Sequence, residues 1–123
     1  MITAEQKQAK IESLSKYTHA NRVLWSDVEP YEIIRVVSDK CIEIRRMNAV
    51  RDESVVLEFS IGGFAAHCSN QDEQKWIYSS NVDAPVIRIR PNKTKGYGIQ
   101  WKDKHGTRYS LNTEPHKFYD YNF

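Results

Sequence analysis

Two cysteines, five glycines and four prolines are the whole complement of fold-stapling and fold-breaking residues in this 123-residue chain. Cys41 and Cys68 stand far apart with no Cys-x-x-Cys or Cys/His spacing around them, so neither a disulfide framework nor a zinc site is indicated. The four histidines, His19, His67, His105 and His116, are scattered with no two at ligand spacing, which argues against a metal centre. No Gly-rich phosphate loop, Walker-type motif or serine elbow is present. His67 and Cys68 are adjacent, and neighbours on an extended chain point apart, so they do not suit a nucleophile and its base. The expectation is a protein that is not an enzyme and needs no cofactor.

Long apolar runs are missing too. None approaches the roughly 20 residues of a membrane helix, and no signal-peptide core is present. A soluble, cytoplasmic protein with no membrane partner is expected. No repeat, low-complexity tract or linker divides the chain, which suits a single domain over residues 1–123. Eighteen Lys and Arg against sixteen Asp and Glu leave a formal charge of +2, too little for bulk attraction to nucleic acid. The charge is uneven, however. Between Val86 and Tyr109 stand Arg88, Arg90, Lys93, Lys95, Lys102, Lys104 and Arg108 against Asp103 alone, a local net charge of +6.

Thr3 and Gln6 match a capping box, and Ala4 to about His19 is rich in helix formers with a sparse apolar stripe (Ala4, Ile11, Leu14, Tyr17). This predicts a helix that lies across a sheet or pairs with a copy of itself, so that residues 1–22 form a helical, oligomerising segment and 23–123 a β-rich body. Strand-like runs follow at Val23–Asp27, Tyr31–Val37, Cys41–Arg46, Val55–Phe59, Trp76–Tyr78, Val86–Arg90, Tyr97–Trp101 and Thr107–Leu111. Asn48–Ser54 reads as a polar crossover, and Pro91–Gly96 and Lys104–Gly106 as turns. The fold class expected is α+β, one N-terminal helix followed by a strongly bent antiparallel sheet. The aromatic tail Phe118–Phe123 should dock on the domain or on a partner chain.

Two stretches carry the functional reading. Ile61–Gln74 is long for a connection, and Gly62 and Gly63 permit close approach of a ligand, while His67, Asn70, Gln71 and Gln74 supply neutral donors and acceptors. A solvated connection pinned into the core by Phe64 is the competing reading. In the basic half, Arg88, Arg90, Asn92, Lys93, Arg108 and Lys117 alternate with Tyr97, Trp101 and Tyr109. Arginine forks bind phosphates, aromatics stack on bases and Asn addresses a purine edge, so the combination suits a nucleotide. Ordinary sheet-surface charge over buried aromatics is the alternative. The polar loop and the modest net charge favour a pocket for a small nucleotide over a polynucleotide groove.

Leu24-Trp25-Ser26-Asp27 with Pro30-Tyr31, the run Gly62–Gln71, the basic strand through Arg90 and the ending Phe118–Phe123 together resemble the first type of anti-Thoeris protein. These are phage-encoded sponges for the cyclic ADP-ribose signal made by bacterial TIR-domain defence enzymes. The resemblance implies non-enzymatic binding of glycocyclic ADP-ribose, left intact, in pockets between protomers of a dimer or higher homo-oligomer, with cyclic di- or trinucleotides taken at separate sites by some relatives. It implies a polar ligand contact from Asn92 and a phosphate clamp from Arg108. Where family members carry arginines before the aromatic tail, this chain has His116 and Lys117. The candidate ligand-binding residues are then Asn92, Arg108, Arg88, Arg90 and Lys117, with Phe64, His67, Asn70, Trp25 and Tyr78. A small β-rich nucleic-acid-binding module is the alternative function, and an interaction protein that docks through its aromatic tail is a third.

Overall fold

A computed structural model describes residues 3–62, 65–96 and 98–122. Helix α1 spans Ala4–Leu14 and opens on the expected capping box: the Gln6 N–H donates to Thr3 Oγ1 at 3.1 Å and the Thr3 N–H to Gln6 Oε1 at 2.8 Å. It ends at Leu14 rather than near His19. Thr18 is drawn into the sheet instead, its N–H donating to the Asn112 carbonyl at 3.0 Å and its carbonyl accepting from the Ile33 N–H at 2.9 Å. Those ladder bonds prevail over a continued helix because Tyr17 and Thr18 are weak helix formers. Ala4–Lys10 is exposed and Leu14 packs against the core, so the apolar stripe is as narrow as expected.

Ten strands follow among the described residues: β1 (His19–Val23), β2 (Val28–Glu29), β3 (Tyr31–Ser38), β4 (Cys41–Arg51), β5 (Phe59–Gly62), β6 (Ala65–Cys68), β7 (Trp76–Ser80), β8 (Val86–Thr94), β9 (Gly98–Lys102) and β10 (Arg108–Asn112). The order β10-β9-β8-β4-β3-β1, closed by pairing of β1 with β10, makes a six-stranded antiparallel barrel. The bent sheet expected from the sequence thus closes on itself, and closure removes the edges an open sheet would present. Strand alternation puts Ile42, Ile44 and Ile89 inside with no exposed surface, and Ala20, Tyr31, Trp101 and Tyr109 complete the core. Tyr31 and Tyr109 meet edge to face with centroids 5.2 Å apart.

Several boundaries differ from the sequence expectation. β1 ends at Val23, and Leu24–Asp27 forms a tight hairpin turn closed by the Leu24 N–H on the Asp27 carbonyl at 2.9 Å, which puts Trp25 at its tip. Polar Asn48–Arg51 continues β4 rather than crossing over, because β7 is available to pair with it. Val55–Glu58 is not strand, and the long loop Ile61–Gln74 contains the end of β5, all of β6 and a single 3₁₀ turn at Gln71–Glu73. β8 runs through Pro91, which faces Trp101, as far as Thr94. A turn follows with Gly96 at φ +83°, a backbone state that favours glycine.

The aromatic tail docks on its own domain. Asn21, 1% exposed, holds it at two points, donating from Nδ2 to the Glu114 carbonyl and accepting at Oδ1 from the His116 N–H, each at 3.0 Å. Val28 and Phe118 exchange backbone hydrogen bonds, and Gln74 brackets Tyr119, donating to its carbonyl and accepting from its N–H at 2.9 Å. Side-chain amides here do what a neighbouring strand would otherwise do.

Candidate functional site

Inward-facing Ile89, Trp101 and Tyr109 fix the outward direction of the residues beside them, so Arg90, Lys102 and Arg108 stand on the outer barrel surface. The register puts them in one row: Arg90 opposite Lys102, and Lys102 opposite Arg108. Directly opposed residues on neighbouring strands lie about 4.5–5.5 Å apart, and like charges so placed destabilise a sheet. Among the described residues none of the three forms an ion pair. Two residues further along β8, exposed Asn92 lies opposite Gln100 on the same face.

Beside the row is a cavity of about 410 Å³ lined by Val86, Ile87, Arg88, Arg90, Lys102, Asp103, Lys104 and His105. Its size falls within the roughly 300–1,000 Å³ of small-molecule sites. Its one acid is committed to the β9–β10 turn. Asp103 Oδ1 accepts from the His105 N–H at 2.8 Å and the Thr107 N–H at 3.0 Å, and Oδ2 accepts from the Tyr109 hydroxyl at 3.0 Å. Partial burial pushes the Asp103 carboxyl up, but these hydrogen bonds outweigh it and hold the group below the ordinary carboxylate value. Burial foremost, then Tyr31 and the bond to Asp103, drives the Tyr109 phenol strongly upward, so it remains a neutral donor.

Arg88 differs from its neighbours. It shares Glu43 with Arg35, at 3.3 and 3.0 Å, in a second row across β3, β4 and β8. Lys117 is further from availability: its ammonium lies 2.9 Å from Glu29 and 5.0 Å from the centroid of the Trp76 ring, and its own N–H donates to the Tyr78 hydroxyl at 2.8 Å. Burial raises the Tyr78 phenol, and the Lys117 N–H opposes that rise. Lys117 and Tyr78 therefore serve the tail. Asn70 serves the loop, accepting at Oδ1 from the Glu58 N–H at 2.6 Å and donating from Nδ2 to the Val56 carbonyl at 2.9 Å and to Glu73 at 3.1 Å.

His67 is exposed on β6, and Trp25 is 92% exposed at the hairpin tip. Phe64 lies outside the described residues. Of the nine described residues among the ten candidates, then, Arg90, Arg108, Arg88 and Asn92 share one face, and Lys117, Tyr78, Asn70, His67 and Trp25 do not join them. Lys102, at the centre of the row, was absent from that set. Its position one residue after inward Trp101 and one before the Asp103 turn is the signal that could have found it.

Among the described residues no group of three or more His, Cys, Asp or Glu could hold a metal ion, and no helix is long and apolar enough to cross a membrane. No protein-family model, curated protein sequence or solved structure matches the chain.

Proposed function

We propose that this protein binds and sequesters a small phosphorylated nucleotide of the cyclic ADP-ribose type without cleaving it, and so acts as a phage anti-defence sponge against TIR-dependent Thoeris signalling. The observation that carries the reading is the row Arg90, Lys102 and Arg108, three opposed cations with no acid paired to them among the described residues. Such a row costs stability in the free protein, and an anion spanning adjacent strands relieves that cost on binding. Arg90 and Arg108 offer forks to phosphate oxygens, Lys102 a point charge between them, and Asn92 a neutral contact on the same face. Val86 and Ile87 supply apolar surface beside the row for a base or ribose. A second protomer laid over this open face would exclude water and strengthen each contact, which fits an assembly of two or more copies.

Calorimetric titration with glycocyclic ADP-ribose, followed by heat release and chromatography, tests the reading. Saturable binding with intact ligand recovered is expected; a cleaved product identifies an enzyme instead. The exposure of Arg90, Arg108 and Trp25 also suits a single-stranded nucleic acid, with phosphates on the cations and a base on the indole. That alternative predicts affinity for oligonucleotides that falls steeply with salt, whereas an enclosed diphosphate responds less.

A further inference from the structure

Residues 56–62 pair back onto residues 65–73. Among the described residues β5 pairs only with β6, and Asn70 ties the base of the segment at Val56 and Glu58. Among the described residues, the hydrogen bonds that leave this segment run to Gln74, next in the chain, and to Tyr121 and Asn122 in the tail. Asn122 grips Cys68 at both backbone groups, accepting from its N–H at 2.7 Å and donating to its carbonyl at 2.8 Å. The Tyr121 N–H donates to Gln71 Oε1 at 2.9 Å, and the Tyr121 ring meets Phe59 edge to face at 5.6 Å. The tail is itself fastened to the barrel side by Asn21, Val28 and Glu29. Barrel, tail and hairpin are connected in series.

We propose that the described residues 56–62 and 65–73 form a flap latched by the tail, which opens on release of the Asn122–Cys68 clamp while the barrel stays folded. This inference does not rest on the nucleotide reading. No described residue of the segment belongs to the core cluster, and the tail holds the segment through a few hydrogen bonds and one ring contact. Opening uncovers Cys68, 1% exposed when latched, together with the faces of Phe59 and Tyr121. Cys41, 3% exposed at the start of β4, lies opposite Ser38 in the β3–β4 ladder, outside the flap, and its exposure does not follow from flap opening. The two thiols thus report separately on flap and barrel.

The test is site-resolved alkylation by iodoacetamide, read by mass spectrometry, with each thiol's rate normalised to its rate in the urea-unfolded chain. In the native protein Cys68 should react at least about ten-fold faster than Cys41, with little dependence on low urea, while Cys41 follows the full urea dependence of unfolding. Asn122→Ala should speed Cys68 by a further factor of about ten, as loss of hydrogen bonds to buried groups implies, and leave Cys41 unchanged. Equal rates with equal urea slopes in the wild type would overturn the proposal. So would an Asn122→Ala variant that accelerates both thiols together or neither. Should that variant fail to fold, the wild-type urea series decides alone.

Discussion

Two rows of charge cross the outside of this barrel, and they are built differently. In the row that runs from Arg35 through Glu43 to Arg88, and at Arg45 beside it, each cation has an acid: Arg35 and Arg88 share Glu43, and Arg45 lies 2.8 Å from Glu32. On β8, β9 and β10 the row Arg90, Lys102 and Arg108 has no acid paired to it among the described residues. The first arrangement is what a solvated sheet needs for cross-strand compatibility, and the second works against it. Net charge along the chain is therefore a poor guide to a site, because Arg88 and Arg90 are two residues apart and belong to opposite kinds of surface.

The comparison breaks most sharply at the centre of the open row. Lys102→Glu should weaken binding of glycocyclic ADP-ribose by about 100-fold or more in calorimetric titration, since it removes one charged contact and places an anion between two others. Thermal unfolding of the same variant should show no loss of stability, because the like-charge row is relieved. A smaller effect of opposite sign is expected at the compensated row. Glu43→Gln frees Arg35 and Arg88, and should raise affinity for the nucleotide about two- to five-fold while costing less than about 1 kcal/mol in urea unfolding.

The pH dependence of stability sharpens the contrast further. Burial pushes the Glu32 carboxyl up, but hydrogen bonds from Arg45 and Ser80 and the Arg45 charge outweigh it, leaving the group below its ordinary value of 4.5. A carboxyl lowered on folding stabilises the fold above its unfolded-state value, and that stability is lost as pH falls through the lower folded value. Urea midpoints of the wild type should therefore drop on acidification below about pH 4.5, and Glu32→Gln should flatten that part of the profile. The smallest effect belongs to Trp25, whose near-complete exposure means that Trp25→Ala should change stability by less than about 0.5 kcal/mol. A large loss of oligonucleotide binding in that variant would favour the nucleic-acid reading.

Much of the fold was legible in the sequence because local signals agreed with the tertiary result. Thr3 and Gln6 cap the helix as their spacing implies, and the alternation Ile87, Arg88, Ile89, Arg90 announces which side of β8 is core. The boundaries that moved are those set by partners distant in sequence. Thr18 leaves the helix because Asn112 and Ile33 are there to pair with it, and Asn48–Arg51 is strand because β7 lies alongside. The site was legible only in part, for a related reason. Arg88 and Arg90 look alike in sequence, and Glu43, on another strand, separates them. The amides of Asn70, Gln71 and Gln74 suggest ligand contacts until the chain folds and gives each an internal partner.

The most direct measurement is calorimetric titration of glycocyclic ADP-ribose into the wild type and two double variants that remove the same charge: Arg90→Ala with Arg108→Ala, and Arg35→Ala with Arg88→Ala. Saturable binding is expected of the wild type and of the Arg35/Arg88 variant, and loss of binding only in the Arg90/Arg108 variant. Equal losses in the two variants, or no heat with the wild type, would contradict that expectation.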